Sequence, residues 1–263
     1  MDILISGRLG DLYADVHTKL LRNRGDGTFD DSGVQIARTR LGYSDWGDFN
    51  NDGLPDLVMG GEATNRLDTL KLYRNDGNGI FTELVGLPQF APDRVLWGDF
   101  DNDGRRDLVV HGQKYYSSRV PQSSYSAVLR NSGDGIFAPT QLELPEIWSS
   151  VGGWADVDDD SRVDFSMAGN SRFGWLLRLY HNNTSKSNSL PIGPEQTFSV
   201  VSSNTVTLSW TAGLDAETAS NGLTYNVRIG RSPGSGDVIG GLARPDGPES
   251  LRLVMRAIGG NTK

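Results

Sequence analysis

Three stretches of the chain gather acidic side chains at alternate positions. They are Asp48, Asn50, Asp52 and Asp56, then Asp99, Asp101, Asp103 and Asp107, then Asp156, Asp158, Asp160 and Asp164. In each, the residues fall at positions 1, 3, 5 and 9 of a nine-residue segment. Carboxylates this crowded repel one another, so the empty loop is costly in a folded protein. A hard divalent cation removes that cost. Calcium takes roughly 6–8 oxygen ligands, and alternate positions of a tight turn aim side chains at one centre. Position 7 would donate its main-chain carbonyl, from Leu54, Arg105 or Arg162. Gly53 and Gly104 ease the turn at position 6, and Ser161 departs from that pattern in the third loop. The expectation is two to three Ca2+ ions, one for each loop that binds.

Other readings of the same residues are weaker. An EF-hand needs a glutamate at position 12, between helices. Here that position holds Met59, Val110 or Met167, inside strand-like runs. Magnesium prefers to keep its waters and rarely fills an all-protein cage. Acidic turns that merely solvate a loop would explain one such segment. Three in one register, each preceded by a tryptophan, are harder to explain that way.

The elements that would position these loops come from an internal repeat. Trp46, Trp97 and Trp154 open the three copies. After each ninth-position aspartate comes an apolar run, then a second strand-like run ending in asparagine. These second runs are Leu72-Tyr73-Arg74-Asn75 and Val128-Leu129-Arg130-Asn131, with Leu20-Leu21-Arg22-Asn23 before them. A glycine-rich turn and an aromatic follow, as in Gly77-Asn78-Gly79-Ile80-Phe81. Glycine and Asn/Asp supply the positive φ of tight hairpins. The last copy ends at Tyr180-His181-Asn182 and lacks the turn.

Each period therefore predicts four short antiparallel strands. In the copy opened by Trp97 these are residues 95–100, 107–112, 126–130 and 136–142. The fold class expected is all-β: an incomplete β-propeller of about 3.5 four-stranded blades, followed by a truncated β-sandwich. A sandwich of irregular meanders is the alternative. Closure of the propeller would need further sequence, other chains or an open arc.

The pattern Trp-Gly-Asp-x-Asp/Asn-x-Asp-Gly-x-x-Asp-Leu-Val, with Asn-x-Gly-Asp/Asn-Gly-x-Phe downstream, resembles the FG-GAP or VCBS repeats of calcium-bearing β-propellers. The integrin α-subunit head is a relative. The resemblance covers roughly residues 1–184. It implies an extracellular propeller whose calcium ions stiffen the blades and do no chemistry. The functions it implies are mixed: adhesion, carbohydrate or protein binding, or the accessory module of an enzyme.

Residues 185–194 are polar and broken by prolines, as expected of a linker. Beyond them, 195–263 lose the repeat. Thr205 to Trp210 and Leu223 to Gly230 alternate with period two. They resemble the early strands of a fibronectin type III-like sandwich, with Trp210 and Tyr225 as core aromatics. Asp2-Ile3-Leu4-Ile5-Ser6-Gly7 matches Asp56 to Gly61 and lacks the features of a signal peptide. Residues 257–263 form no closing element. A fragment of a longer secreted or surface protein is expected.

Composition narrows the function classes. Of 263 residues 37% are hydrophobic, enough for a core, and no stretch is long and apolar enough to span a membrane as a helix. A formal charge of -8 argues against a nucleic-acid partner. With no cysteine, a disulfide scaffold, a zinc-thiolate site and a cysteine nucleophile are excluded.

Other motifs have plain explanations. Arg24-Gly25-Asp26 sits in the repeat's own turn. Asn182-Asn183-Thr184 and Asn183-Thr184-Ser185 accept glycans only in a eukaryotic secretory route. His17, His111 and His181 read as ordinary strand residues. The three repeat tryptophans read as packing between blades. Tyr115, Tyr116, Trp148, Phe173 and Trp175 are candidates for an exposed binding face. No phosphate loop or zinc-protease motif occurs.

The function expected is a calcium-stabilised, non-enzymatic binding or adhesion module with a protein or glycan ligand. The alternative is an accessory or substrate-binding part of a carbohydrate-active enzyme.

Overall fold

The computed structural model describes residues 2–8, 16–40, 42–64, 67–115, 121–186, 188–202 and 205–223, together with Tyr225 and Val227. All regular structure among the described residues is β. The chain divides into two compact units. The first runs to Asn188 without residues 51–53, and the second holds those three and the chain from Ser189 onward.

The first unit contains four antiparallel sheets. Sheet 1 has β1 (Ile3–Arg8), β2 (Val16–Asn23) and β3 (Phe29–Asp31). Sheet 2 has β4 (Thr39–Arg40), β5 (Ser44–Gly47), β6 (Asp56–Ala63), β7 (Asp68–Gly77) and β8 (Ile80–Leu84); β4 and β5 share one edge of β6. Sheet 3 has β9 (Ala91–Gly98), β10 (Asp107–Tyr115), β11 (Pro121–Asn131) and β12 (Phe137–Pro139). Sheet 4 has β13 (Trp148–Ala155), β14 (Asp164–Ser171) and β15 (Gly174–Tyr180).

The repeat is also a repeat of register. Trp46 pairs with Leu57, Trp97 with Leu108 and Trp154 with Phe165. Sheet 4 has no outermost strand among the described residues, in keeping with the turn missing from the last copy. The glycine-rich hairpins take the positive φ expected of them: Asn78 stands at 53° and Asp134 at 51°.

Strand limits differ from expectation in sheet 3. The strand expected to end at Phe100 ends at Gly98. The reason is local: the Phe100 N–H donates to the Asp107 carboxylate at 3.0 Å. β11 starts earlier than expected, at Pro121, and β12 is only three residues long.

Successive sheets bury apolar faces against each other. Leu4 from sheet 1 packs with Leu57, Met59 and Tyr73 of sheet 2. Between sheets 2 and 3 lie Val58, Leu70, Leu72 and Phe90, with Val95, Trp97, Leu108 and Val110 opposite. Between sheets 3 and 4 lie Val109 and Val128, with Ile147, Phe165 and Met167 opposite. Leu108, Val109 and Val110 are therefore buried on both faces of β10, which explains a continuous apolar run where a half-buried strand would alternate. Sheet 4 has one packed face. On its other face Trp175 is 78% exposed and Leu177 71%.

The tryptophans set the spacing between sheets. A Cβ on Gly47 would lie 2.6 Å from the Trp97 ring, and one on Gly98 2.4 Å from the Trp154 ring. Trp97 also stacks on Phe49, centroids 6.4 Å apart. The expected packing role of these rings is the one the structure shows for Trp97 and Trp154.

The second unit contributes a hairpin, β16 (Thr197–Ser202) and β17 (Thr205–Trp210), and an isolated bridge between Ile192 and Leu214. Trp210 and Tyr225 meet at 5.6 Å, and the Tyr225 hydroxyl accepts the Gly213 N–H at 2.7 Å. Most of the strand expected over 223–230, and the chain from 228 on, lie outside the described residues.

Two predictions follow from the packing. Gly98→Ala puts a methyl into the Trp154 indole. It should cost about 1–3 kcal/mol, read as a lower urea midpoint at unchanged m-value. The second concerns His111, which is fully buried with Nδ1 against Ser150 Oγ. Burial, with Arg94 adding, pushes its pKa down from 6.5 to about 4. The unfolded chain takes a proton that the folded protein refuses, so this group removes stability as pH falls from 6.5 towards about 4. His111→Gln should flatten that part of a stability–pH profile, by about 3 kcal/mol at most.

Candidate metal centre

Each acidic loop joins the first strand of a repeat to the second. Its last residue, at position 9, opens the second strand and is the most buried of the set. Asp56 and Asp107 are fully covered and Asp164 nearly so. Each carboxylate is held twice by main chain. One oxygen accepts the N–H at position 2 of its own loop: Phe49 at 3.0 Å, Phe100 at 3.0 Å and Val157 at 2.9 Å. The other accepts the N–H of the strand-end asparagine: Asn75 at 2.8 Å, Asn131 at 2.7 Å and Asn182 at 2.8 Å. Asp2 does the second of these jobs in sheet 1, accepting from Asn23 at 2.9 Å.

Position 1 shapes the turn. Asp99 accepts the N–H groups of Asp103 and Gly104, at 3.0 and 2.8 Å. Asp156 accepts those of Asp160 and Ser161, at 3.1 and 2.9 Å. The backbone is left-handed at position 4 in all three loops, with φ 57° at Asn51, 51° at Asn102 and 60° at Asp159. It is left-handed again at position 6: Gly53 and Gly104 at 82°, and Ser161 at 64°. The serine therefore follows the path of the glycines, at a cost of roughly 1 kcal/mol for a side chain in that region.

Positions 1, 3 and 9 converge. One oxygen from each of Asp99, Asp101 and Asp107 lies within 4.8 Å of the others, and so do oxygens of Asp156, Asp158 and Asp164. Among the described residues these are the two such groups. Position 5 does not join them: Asp103 pairs with Arg105, and Asp160 with Arg162. The first loop has Asn50 in place of the acid at position 3 and forms no such three-acid group with Asp48, Asp52 and Asp56.

Charge is accommodated differently in the two clusters. Burial raises the pKa of Asp99 and Asp101, and neighbouring aspartates raise both further. Burial pushes Asp107 up to about 7 against two N–H bonds, with Asp101 and Asp99 adding to it. Asp164 goes the other way, held low by the N–H groups of Val157 and then Asn182. Its own surface is covered, but sheet 4 has an open face and less protein lies around it. An oxygen-only donor set with raised acids is what a hard cation satisfies. Both clusters offer the oxygen donors that calcium takes, and the second adds acids whose pKa burial has raised.

The asparagines are the contributors whose role the sequence did not disclose. Asn131 Nδ2 donates to the Phe49 carbonyl of the preceding loop at 2.8 Å and to Arg106 O at 3.1 Å. Asn182 Nδ2 does the same to Phe100 O at 2.6 Å and Val163 O at 3.1 Å. Their recurrence at each strand end was the available signal.

Of the described aromatic candidates, Trp148 and Trp175 lie in one cross-strand row of sheet 4, each paired with Asn170. Trp175 lies on the open face of β15, Phe173 in the preceding turn under Arg172, and Trp148 in β13. The Tyr115 side chain and Tyr116 lie outside the described residues. Gly25 and Asp26 are held in their turn by Asn23 Oδ1 and the Thr28 N–H.

The FG-GAP-like repeat family matches this chain twice, over residues 1–59 and 48–110. The two matches include the first two acidic loops. No curated protein matches the chain.

The left-handed serine gives a direct test of loop geometry. Ser161→Gly should raise stability by about 0.5–1 kcal/mol, read from a urea titration in EDTA.

Proposed function

We propose that residues 1–184 are a calcium-stabilised, non-enzymatic binding or adhesion module of a secreted or cell-surface protein. The observation that carries this reading is the convergence of three carboxylates in each of two equivalent loops. The repeat match supports it, because repeats of this kind are found in adhesion-type, non-enzymatic modules. The four sheets, stacked face to face in chain order, are read as successive blades of a β-propeller.

In the second loop the ion would be held by Asp99, Asp101 and Asp107, with the Arg105 carbonyl and Asp103 as further donors. In the third the same parts are Asp156, Asp158, Asp164, the Arg162 carbonyl and Asp160. In the first they are Asp48, Asn50, Asp52, Asp56 and the Leu54 carbonyl. Calcium there would supply charge neutralisation and rigidity. The chain's own residues do the rest: the ninth-position aspartates tie loop to strand, and the asparagines tie loop to neighbouring loop. A rigid stack then presents its loops and open faces to a protein or glycan ligand. Residues 185–194 are read as a linker and 195–263 as a partial fibronectin type III-like module.

A cation that binds only the folded form adds about 2.7 kcal/mol per site at a hundredfold excess over its dissociation constant. The full chain should therefore melt several degrees higher in millimolar calcium than in EDTA. An identical melt in both would overturn the reading.

A further inference from the structure

The second and third loops each carry an arginine two residues after the position-5 aspartate. Arg105 donates through Nη2 to Asp103, through Nε to the Asn131 carbonyl at 3.0 Å, and through its main-chain N–H to Asp103 Oδ1 at 3.0 Å. Arg162 repeats the arrangement. Its Nη2 donates to Asp160, its Nε to the Asn182 carbonyl at 2.8 Å, and its N–H to Asp160 Oδ1 at 2.9 Å. The same three-point grip thus forms in two loops. It holds both oxygens of the position-5 carboxylate and keeps that acid out of the converging group. A second cation reaches the second loop: Arg130 Nη2 lies 2.6 Å from Asp101 Oδ2 and 3.4 Å from Asp103 Oδ2.

We infer that Arg105 and Arg162 are tethered counter-cations that compete with the divalent ion and so set its affinity. The inference rests on the calcium reading above. A guanidinium keeps its charge at any working pH. When an ion enters, one of two things happens. Either the position-5 carboxylate leaves its arginine to join the ion, or the ion sits on three carboxylates beside a fixed positive charge. Both weaken binding. The first loop has Leu54 at this position, which carries no charge. The side chain at position 7 can therefore change a site's affinity while the carbonyl of the same residue remains a donor.

The test uses the full chain with two double variants. Arg105→Leu with Arg162→Leu copies the first loop, and Arg105→Lys with Arg162→Lys keeps the charge. Calcium binding is measured by titration calorimetry, and melting in EDTA and in calcium. A unit charge about 6 Å from a divalent ion in a solvated loop is worth about tenfold in affinity. The leucine variant should bind calcium about tenfold tighter at these sites, melt lower in EDTA, and show a wider gap between its two melts. The lysine variant should stay within about threefold of wild type.

If wild type and the leucine variant bind calcium equally, the inference fails and the calcium reading stands. If neither binds, both fail, and a lowered EDTA melt then marks the arginines as structural ion pairs only.

Discussion

A buried carboxylate at the start of each second strand is the constraint on which the stack depends. An ionised acid away from water must be hydrogen-bonded on both oxygens or it costs several kcal/mol. Asp56, Asp107 and Asp164 meet that demand with the same two main-chain donors, one from the loop before and one from the strand after. Those two bonds fix where the loop turns and how far the third strand runs. They also explain why a strand expected to reach Phe100 stops at Gly98.

Contacts between sheets extend the same logic. The strand-end asparagine spends its amide on the loop of the preceding sheet, so one loop's geometry constrains the next. Beside it the indoles of sheets 3 and 4 each lie against a glycine of the sheet before, a contact that any Cβ would block. Ala155 takes that glycine's place in sheet 4, where the outward face is apolar and exposed. The sheets are thus joined by a polar tie and an apolar one, repeated in order.

Electrostatics makes the loops more than connectors. Three acids converge where the backbone has already placed several N–H groups, and burial raises Asp107 to about 7. Such a site holds charge reluctantly when empty. The arginines at position 7 relieve part of that load by taking the fourth acid aside. A loop of this kind has two ways to be neutral, one internal and one supplied by an ion.

Much of this was legible in the residues. Register of the three loops, the glycine turns and the apolar runs gave the four-strand period, because hairpin turns and strand alternation are local properties. The Asn-Asp-Gly and Asp-Asp-Ser tips are likewise local, since Asn and Asp tolerate the left-handed region. What the sequence left undetermined depends on partners distant in the chain. Asn131 reaches back to Phe49, and Trp97 to Gly47, across a sheet boundary that no spacing rule announces. The withdrawal of Asp103 and Asp160 from their clusters likewise depended on which way two arginine side chains turn. Local pattern determined the strands, the turns and the acids. Only packing of one sheet on the next decided which acids meet, because that is set by side chains competing for the same few donors.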